Sequence, residues 1–88
     1  MDVEFDSAKN KANVAKHGVP LELAVFLFEG PHKVIADDRR DYGEPRFRAY
    51  GLINGRLFVC VFTVRSETIR IISLRKANRR EQHAYHQS

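Results

Sequence analysis

Three arginines in the last third of the chain carry the side chain best suited to binding phosphate. Arg65, Arg70 and Arg75 lie in or beside two apolar stretches, Leu57 to Val64 and Thr68 to Leu74. A guanidinium group stays charged at every physiological pH, and its paired N–H donors match the oxygens of a phosphate. Because Arg70 and Arg75 are five positions apart, a regular strand would direct them to opposite sides of a sheet. They can line one groove only if the strand ends or bulges before Arg75.

Two other residues could transfer protons. His17 has an intrinsic pKa close to neutrality, and it precedes Gly18 at the predicted end of a helix. A histidine there is explained equally well by its favourable interaction with the helix dipole, so both interpretations stay open. Glu81 follows Asn78 at capping-box spacing. It is therefore better explained as a capping residue or as the partner of an arginine than as a general base.

Metal and cofactor chemistry find little support. His83 and His86 are three positions apart, but they lack cysteine or acidic companions at ligand spacing, so we expect no metal site. The chain has no P-loop, no glycine-rich dinucleotide fingerprint and no nucleophile elbow. We therefore expect no cofactor, and nothing in the sequence supports nucleotide hydrolysis, redox or acyl-transfer chemistry.

Positive charge is concentrated in the C-terminal part. Residues 1–55 contain eight Lys and Arg against nine Asp and Glu, whereas residues 56–88 contain seven against two. This asymmetry indicates a polyanionic substrate or an acidic protein partner at that end. A solvated basic face without a partner would explain the charge alone equally well.

Length and composition describe a small globular protein. Residues 1–88 are expected to form one domain with a single core. The single cysteine, Cys60, lies in the most apolar stretch, where a buried structural thiol in a reducing compartment is expected. No apolar run has the length of a membrane span, and no signal peptide begins the chain. We expect a soluble cytoplasmic protein without a membrane partner.

The arginines are expected to project from a small antiparallel sheet. Asn54-Gly55 predicts a type I′ hairpin turn. The strand that follows is apolar on both faces and should be central. The strand before it, Arg46 to Ile53, alternates, with Arg46, Arg48 and Tyr50 on the polar face. These strands predict a three-stranded meander from Arg46 to Leu74.

Helices are expected on both sides of this meander in sequence. Val3 to Phe5 predicts a short edge strand, and Asp6 and Gly18 predict the N-cap and the end of a first helix. Pro20 fits the first position of a second helix, whose sheet-facing residues would be Leu21, Ala24, Val25 and Phe28. A strand over Lys33 to Ala36 and an exposed, mobile loop over Asp37 to Pro45 follow. The capping box at Asn78 predicts a C-terminal helix to about His86. The predicted class is α+β, with two N-terminal helices and a C-terminal helix packed on the sheet.

Two motifs at a consistent separation give the chain a family resemblance. The first contains Asp6, Lys9, Asn13 and the run Lys16-His17-Gly18-Val19, and the second contains Arg70-Ile71-Ile72-Ser73, Arg75, Ala77, Glu81 and Tyr85. In this combination the chain resembles the BrnT family of bacterial type II toxins over nearly its whole length. It differs by lacking a tryptophan near the start of the first helix and by having Phe62 where many relatives have tyrosine.

The resemblance implies a RelE-like ribonuclease that cleaves RNA without a metal and inhibits translation. It also implies a BrnA-type antitoxin with a DNA-binding domain, through which alone the toxin would contact operator DNA. The expected catalytic residues are His17, Arg65, Arg70, Arg75 and Glu81. For each of the three arginines, a contact with the antitoxin or a structural ion pair is an equally open interpretation. The expected RNA-binding residues are Lys16, Arg46, Arg48, Arg79 and Tyr85. Tyr85 could instead pack against the sheet. The alternative is a non-catalytic RNA-binding or antitoxin-binding module that acts mainly in operon autoregulation.

Overall fold

The computed structural model describes residues 2–87, which form five strands and three α-helices. The strands are β1 (Asp2–Glu4), β2 (His32–Ala36), β3 (Phe47–Ile53), β4 (Arg56–Arg65) and β5 (Thr68–Lys76). The helices are α1 (Ser7–His17), α2 (Ala24–Glu29), which follows a 3-10 turn at Leu21–Leu23, and α3 (Arg79–Gln87). None of the helices within residues 2–87 is long and apolar enough to cross a membrane.

One sheet contains all five strands, in the order β1-β5-β4-β3-β2. The predicted α+β class is confirmed, but the prediction of an entirely antiparallel sheet is wrong because β1 pairs with β5 in parallel. Hairpin turns force β3, β4 and β5 to run antiparallel to one another. The long connection from β1 to β5 imposes no such constraint, so the first strand can enter the sheet in either direction.

The tight turn between β3 and β4 and the central position of β4 agree with the sequence. Asn54 and Gly55 have φ angles of 51° and 79°, as a type I′ turn requires. From Leu57 to Cys60 every residue of β4 is buried, including the predicted buried thiol. Burial raises the pKa of the Cys60 thiol to about 12, so it stays protonated and behaves as a small apolar side chain.

The two faces of the sheet are covered very differently. The larger core lies between the sheet and the first two helices, and contains Leu21, Ala24, Leu27, Ala49, Phe58, Cys60, Phe62, Ile71 and Leu74. On the opposite face a small cluster of Leu57, Val59 and Ala77 packs with Tyr50 and Tyr85. Helix α3 has no buried residue of its own and covers only this end of the face. The rest of that face is therefore available for a site.

The second helix begins later than predicted; Leu21, Ala24 and Phe28 pack in the core as expected, whereas Val25 does not and Leu27 takes its place. Pro20 precedes a 3-10 turn instead of starting an α-helix. Leu21 in this turn and Ala24 and Leu27 in α2 are fully buried, and their spacing of three residues places them on one side of the segment. Val25 is 38% exposed, so its predicted place in the core is wrong.

The loop after β2 is also more ordered than its composition suggested. Six of the nine residues from Asp37 to Pro45 are charged. The Asp37 side chain nevertheless has 0% relative exposure and is held by arginines. Most of the other loop residues are exposed, as expected, but the first residue of the loop is anchored inside the protein.

Helix α1 lies against the free edge of β5. Strand β1 pairs only with the first part of β5, from Thr68 to Arg70, and leaves the rest of that edge unpaired. The buried side chain of Asn13 fills this gap. Its Nδ2 donates to the carbonyls of Leu74 (2.8 Å) and Val19 (2.7 Å), and its Oδ1 accepts from the Leu74 N–H (3.1 Å). An asparagine amide thus replaces a neighbouring strand and brings the end of α1 to the sheet.

Candidate functional site

A β-bulge in β5 places two of the predicted site arginines on one face. Arg70 pairs with Thr63 and Arg75 pairs with Val59, and the register between them is shifted by one residue. Ile72 is the extra residue, since Ile71 and Ser73 have successive partners on β4. Because of this extra residue, Arg70 and Arg75 pair with β4 residues that are four positions apart, an even number. Both side chains therefore lie on the same face of the sheet, away from the main core.

These arginines belong to a partly exposed surface that we call the open face, formed by Arg48, Val61, Arg70, Ser73 and Arg75. Val61 is its floor, because it is partly exposed and pairs with Arg48 on one side and Ser73 on the other. Arg48 and Ser73 are therefore two strand spacings apart, about 10 Å between Cα atoms. This width is suited to a single strand of nucleic acid.

Arg75 is held at one end of the open face by Glu81. Its Nη1 and Nη2 donate to the two carboxylate oxygens at 2.7 and 2.8 Å. Glu81 also accepts the Asn78 N–H at 2.9 Å, while its own N–H donates to Asn78 Oδ1 at 2.8 Å. The predicted capping box and the predicted arginine pair are thus formed by the same side chain. The hydrogen bonds from Arg75 lower the pKa of Glu81, and Glu81 in turn raises the pKa of Arg75.

Arg48 lies on the far side of the floor and is fixed from two directions. Its Nη1 donates to the Tyr50 hydroxyl at 3.0 Å, and its Nε is 3.8 Å from Asp37 Oδ1. The positive charge of Arg48 contributes to the lowered pKa of Glu81. Arg48 is therefore close enough to act electrostatically on the pair at the other side of the open face.

His17 borders the same surface from the end of α1. It lines an open groove of 210 Å³ with Lys16, Ile72 and Ser73, among others. The pKa of His17 is lowered, mainly by partial burial and then by the charges of Lys16 and Arg75. The imidazole is therefore neutral at pH 7 and able to accept a proton. Its location at the helix end fits a structural role as well.

Of the other two predicted catalytic arginines, Arg70 lies on the open face and Arg65 lies well beyond it. Arg70 is on the open face and pairs with Glu4 at 3.3 Å. Arg65 pairs with Glu44 at 3.0 Å near the end of β4. It is six residues beyond Val59, the partner of Arg75, which corresponds to about 20 Å along the strand. The structure therefore does not bring Arg65 to Arg75.

The predicted RNA-binding residues surround the open face without forming one cluster. Lys16 is exposed beside His17, and Arg79 is exposed in the first turn of α3. Arg46 stacks its guanidinium on the Tyr42 ring, 4.2 Å from the ring centroid. Tyr85 is half-buried against the Leu57 and Val59 cluster, with Lys33 Nζ 5.0 Å from its ring centroid.

Sequence reasoning missed Asp37 and Arg39. Arg39 Nε donates to Asp37 Oδ1 at 2.6 Å, and its Nη2 donates to Oδ2 at 2.9 Å. The charge of Arg39 also contributes to the pKa of Arg75, which locates this loop residue near the open face. The sequence did contain a signal for this ion pair. An acidic residue directly follows a predicted strand, and an arginine comes two positions later. The high charge of the whole loop concealed it.

Two further features complete the surroundings of the site. An apolar groove of 310 Å³ separates β2 from α3 and is lined by Lys33, Ile35, Tyr50, Arg80, Glu81, Ala84 and Tyr85. Within residues 2–87 no three His, Cys, Asp or Glu side chains are grouped so as to hold a metal ion. The chemical groups gathered at the open face are three guanidiniums, the three carboxylates paired with them, the Ser73 hydroxyl and an imidazole at its border.

Comparison with protein-family models gives a match over most of the chain. Residues 5–81 match a family model described as ribonuclease toxin, BrnT, of type II toxin-antitoxin system. The match includes α1, the whole sheet from β2 to β5, and Glu81. A comparison with curated proteins found no match.

Proposed function

The chain belongs to the BrnT family of ribonuclease toxins of type II toxin-antitoxin systems, and from this we propose that it is an endoribonuclease that cleaves RNA on the open face without a metal ion. The observation that carries the proposal is the convergence of Arg48, Arg70 and Arg75 on one exposed sheet face. Three fixed cations there can bind a phosphodiester and stabilise the extra negative charge of its transition state.

In the proposed reaction the 2′-hydroxyl of one nucleotide attacks the adjacent phosphorus, and the bond from phosphorus to the 5′-oxygen breaks. The products are a 2′,3′-cyclic phosphate and a free 5′-hydroxyl, whose oxygen takes its proton from a water molecule. His17 is suited to accept the 2′-hydroxyl proton because its lowered pKa keeps it neutral at pH 7. Arg75 and Arg48 are proposed to contact the non-bridging oxygens, with Arg70 on the adjoining phosphate.

Glu81 is proposed to position Arg75 instead of acting as a base. A guanidinium has five N–H donors, of which Glu81 accepts two. The remaining donors can bind phosphate without breaking the pair, and the pair prevents Arg75 from rotating. The low pKa of Glu81 also makes it a weak proton acceptor. Arg65, far along β4, would contact a flanking nucleotide instead of the scissile phosphate.

The biological setting is part of the same proposal. Membership of a type II toxin family implies RNA as target and a protein antitoxin as partner. We propose that the antitoxin is of the BrnA type, that it alone carries the operator-binding domain, and that RNA cleavage inhibits translation in the cytoplasm. A RelE-like fold, inferred from the family resemblance, also stays a proposal.

A second function is favoured by one observation. The bidentate contact of Arg75 with Glu81 is also what a purely structural ion pair would show. In that case the open face would bind RNA or antitoxin without cleavage, and the protein would act mainly in operon autoregulation. The two functions differ in whether the free toxin breaks RNA.

The deciding experiment uses purified toxin, freed of antitoxin, with a defined single-stranded RNA in EDTA. We expect cleavage products with 2′,3′-cyclic phosphate ends. Arg75→Ala should reduce the rate by at least about 100-fold, the usual cost of losing one transition-state donor. Arg75→Lys should recover little of this activity, because the compact ammonium of lysine does not reproduce the paired N–H donors of a guanidinium.

Lys11→Ala is the matched control, since Lys11 is exposed on α1 and its removal changes the net charge by the same amount. It should cleave at the wild-type rate. RNA binding without cleavage by the wild type, on free RNA and on translating ribosomes, would support the second function instead. Full activity of Arg75→Ala would show that the site has been assigned to the wrong residue.

A further inference from the structure

The loop from Asp37 to Arg46, here called the Asp37 loop, is a defined structure at the border of the open face. Its two ends are joined by a hydrogen bond from the Asp37 N–H to the Arg46 carbonyl at 2.8 Å. Its last part is attached to β4, because Thr63 Oγ1 donates to the Pro45 carbonyl at 2.6 Å. A loop fixed at its base in this way can hold side chains in set positions.

The centre of the loop is the buried carboxylate of Asp37. Arg39 makes two hydrogen bonds to it, the Tyr42 hydroxyl donates to Oδ2 at 3.3 Å, and Arg48 Nε lies 3.8 Å from Oδ1. One buried negative charge thus organises two guanidiniums and a phenol. One of these guanidiniums, Arg48, already belongs to the open face, so the loop is continuous with the proposed active site.

The loop itself is not net positive, since residues 37–46 contain four acidic and three basic residues, but the carboxylate of Asp37 faces two arginines. Asp37 can neutralise only one of Arg39 and Arg48, and the Arg39 side chain is 55% exposed. The two hydrogen bonds to Asp37 leave three N–H donors of Arg39, of which the neighbouring Tyr42 hydroxyl can engage one. Arg39 therefore presents oriented, solvent-accessible donors, as a phosphate-binding arginine does.

Aromatic and cationic side chains alternate next to these donors. Tyr42 is stacked with Arg46, and it lines a groove of 360 Å³ together with Arg39 and Arg40. A guanidinium stacked on a phenol ring is a surface on which a nucleobase can add as the next layer. Phosphate donors and a stacking platform within one groove match the two parts of a nucleotide.

We propose that the Asp37 loop is a second RNA subsite, in which Arg39 binds the phosphate and Tyr42 stacks on the base of a nucleotide next to the one that is cleaved. Asp37 is the positioning residue for both. This inference rests on the proposed function, since the subsite adjoins the open face. It assigns the loop a part in selecting which RNA segment lies at Arg75.

Arginine and tyrosine together favour RNA over an acidic protein segment as the occupant. An acidic peptide would need only the cations, whereas a nucleotide also uses the stacked ring. RNA and an acidic peptide can be distinguished with two variants, one that removes the Tyr42 ring and one that removes the Arg39 charge.

The test measures binding of a single-stranded RNA whose 2′-O-methyl riboses prevent cleavage, as a function of salt, by fluorescence anisotropy. Tyr42→Ala should weaken binding about tenfold, the usual effect of losing one stacked base. Tyr42→Phe keeps the ring and should bind nearly as the wild type does. Arg39→Ala should reduce the slope of log K against log salt by about 0.7, the value for one phosphate contact on a single strand. Lys11→Ala, on the exposed side of α1, should change neither quantity.

Unchanged RNA affinity and salt slope in Tyr42→Ala and Arg39→Ala would overturn the subsite. Equal losses in Tyr42→Ala and Tyr42→Phe would also overturn it, because the hydroxyl bond to Asp37 and not the ring would then matter. Circular dichroism and the melting temperature identify any variant that fails to fold. If an alanine variant fails, RNA affinity and salt slope are compared in Tyr42→Phe and Arg39→Lys instead. A wild type that binds this RNA through Tyr42 and Arg39, yet does not cleave unmodified RNA, would leave the subsite standing and refute only the ribonuclease proposal.

Discussion

Among single residues, Arg75 is the one whose charge connects the two sides of the candidate site. It is paired with Glu81 from α3, and its charge is one cause of the lowered pKa of His17 on α1. A proton-accepting imidazole and a phosphate-binding guanidinium are thus electrostatically linked without being in contact. The same charge that would attract phosphate also contributes, after burial and the charge of Lys16, to the lowered pKa of His17.

This link predicts opposite shifts of one pKa in two variants. Arg75→Gln removes a positive charge near His17 and should raise the His17 pKa. Glu81→Gln leaves Arg75 uncompensated and should lower it further. NMR titration of the His17 ring protons measures both values. A His17 pKa that does not respond to either change would show that Arg75 and His17 are not coupled.

The sign of the His17 shift also determines a pH dependence. Its folded-state pKa lies below the ordinary 6.5. The neutral form is therefore favoured by folding, and this contribution to stability is present above pH 6.5 and decreases as the pH falls through the folded-state pKa. If His17 accepts the 2′-hydroxyl proton, cleavage should decrease over the same acidic range, and His17→Gln should remove that acidic limb from the pH profile.

For individual residues, local spacing predicted local contacts well. The N-cap at Asp6, the left-handed Gly18 and the reciprocal bonds of Asn78 and Glu81 are all present. Each depends on residues within a few positions of one another, so sequence spacing is sufficient. The pairing of Asp37 with Arg48 across two strands and the reach of Arg39 toward Arg75 depend on how the sheet folds, which spacing alone does not specify.

At the level of elements, the attachment of α1 to β5 depends on one buried side chain. Asn13→Ala would leave three backbone groups, at Val19 and Leu74, without their hydrogen-bond partner. The expected loss is about 3 kcal/mol of unfolding free energy, since each buried polar group without a partner costs roughly 1 kcal/mol or more. Urea unfolding measures it, with Lys11→Ala on the exposed side of the same helix as control. The Leu74 amide should also exchange its hydrogen faster.

A loss below 0.5 kcal/mol, on the order of an ordinary surface substitution, would show that α1 is held by other contacts. Because His17 lies one turn beyond Asn13 on the same side of α1, the variant should also weaken RNA cleavage more than its stability loss explains. This second effect tests whether the helix serves to position the imidazole.

Helix α2 approaches β3 at a glycine, and this contact gives a matched pair of substitutions. A Cβ on Gly51 would lie 3.0 Å from Leu27 Cγ and 3.1 Å from His32 Cβ, whereas a Cβ on Gly30 would have only one neighbour, at 3.9 Å. Gly51→Ala should therefore destabilise the protein by about 1–3 kcal/mol through overpacking. Gly30→Ala should be nearly neutral, because its backbone is extended and the space is open. Thermal unfolding of the two variants compares them directly, and equal melting temperatures would contradict the close approach.

The elements themselves were largely predictable, but the β5 bulge was not. Alternation and the Asn-Gly turn indicated β3 and β4 correctly. For β5 the sequence supported only a conditional prediction: Arg70 and Arg75 can share a face if the strand ends or bulges before Arg75. The bulge at Ile72 appears when the apolar residues Ile69, Ile71 and Leu74 all take places in one core, which requires the partner strand. The position of the site thus depends on packing between strands.

In the whole molecule, charge is distributed by the fold and not by sequence order. The C-terminal part holds the basic excess, yet the Asp37 loop and β3 supply Arg39, Arg46 and Arg48 from the acidic first part. The sheet brings both sets to one side, while α1 and α2 cover the other. The open face thus gathers three arginines from separate parts of the chain, and each of them lies beside one carboxylate. Sequence segments could not reveal this, because the sheet order interleaves them.

The buried carboxylate at the centre of the Asp37 loop gives the molecule a specific sensitivity to acid. Its bonds to Arg39 lower the pKa of Asp37 from the ordinary 3.8 to about 2. A carboxyl group with a lowered folded-state pKa stabilises the fold fully above its unfolded pKa, and loses that contribution as the pH falls toward the folded value. Because Arg39 is half exposed, we expect a contribution on the order of 1 kcal/mol after allowing for solvent screening.

Asp37→Asn should therefore be less stable than the wild type by about this amount at pH 7, and the difference should shrink between pH 4 and about pH 2. Urea unfolding at pH 7, 5, 3 and 2 gives the difference directly, and the other carboxylates cancel because they titrate in both proteins. Asp38→Asn, on the exposed neighbouring residue, is the control and should follow the wild type. A difference that stays constant down to pH 2 would mean that Asp37 acts through its shape and not its charge. The arginines would then need another explanation for their orientation toward the open face.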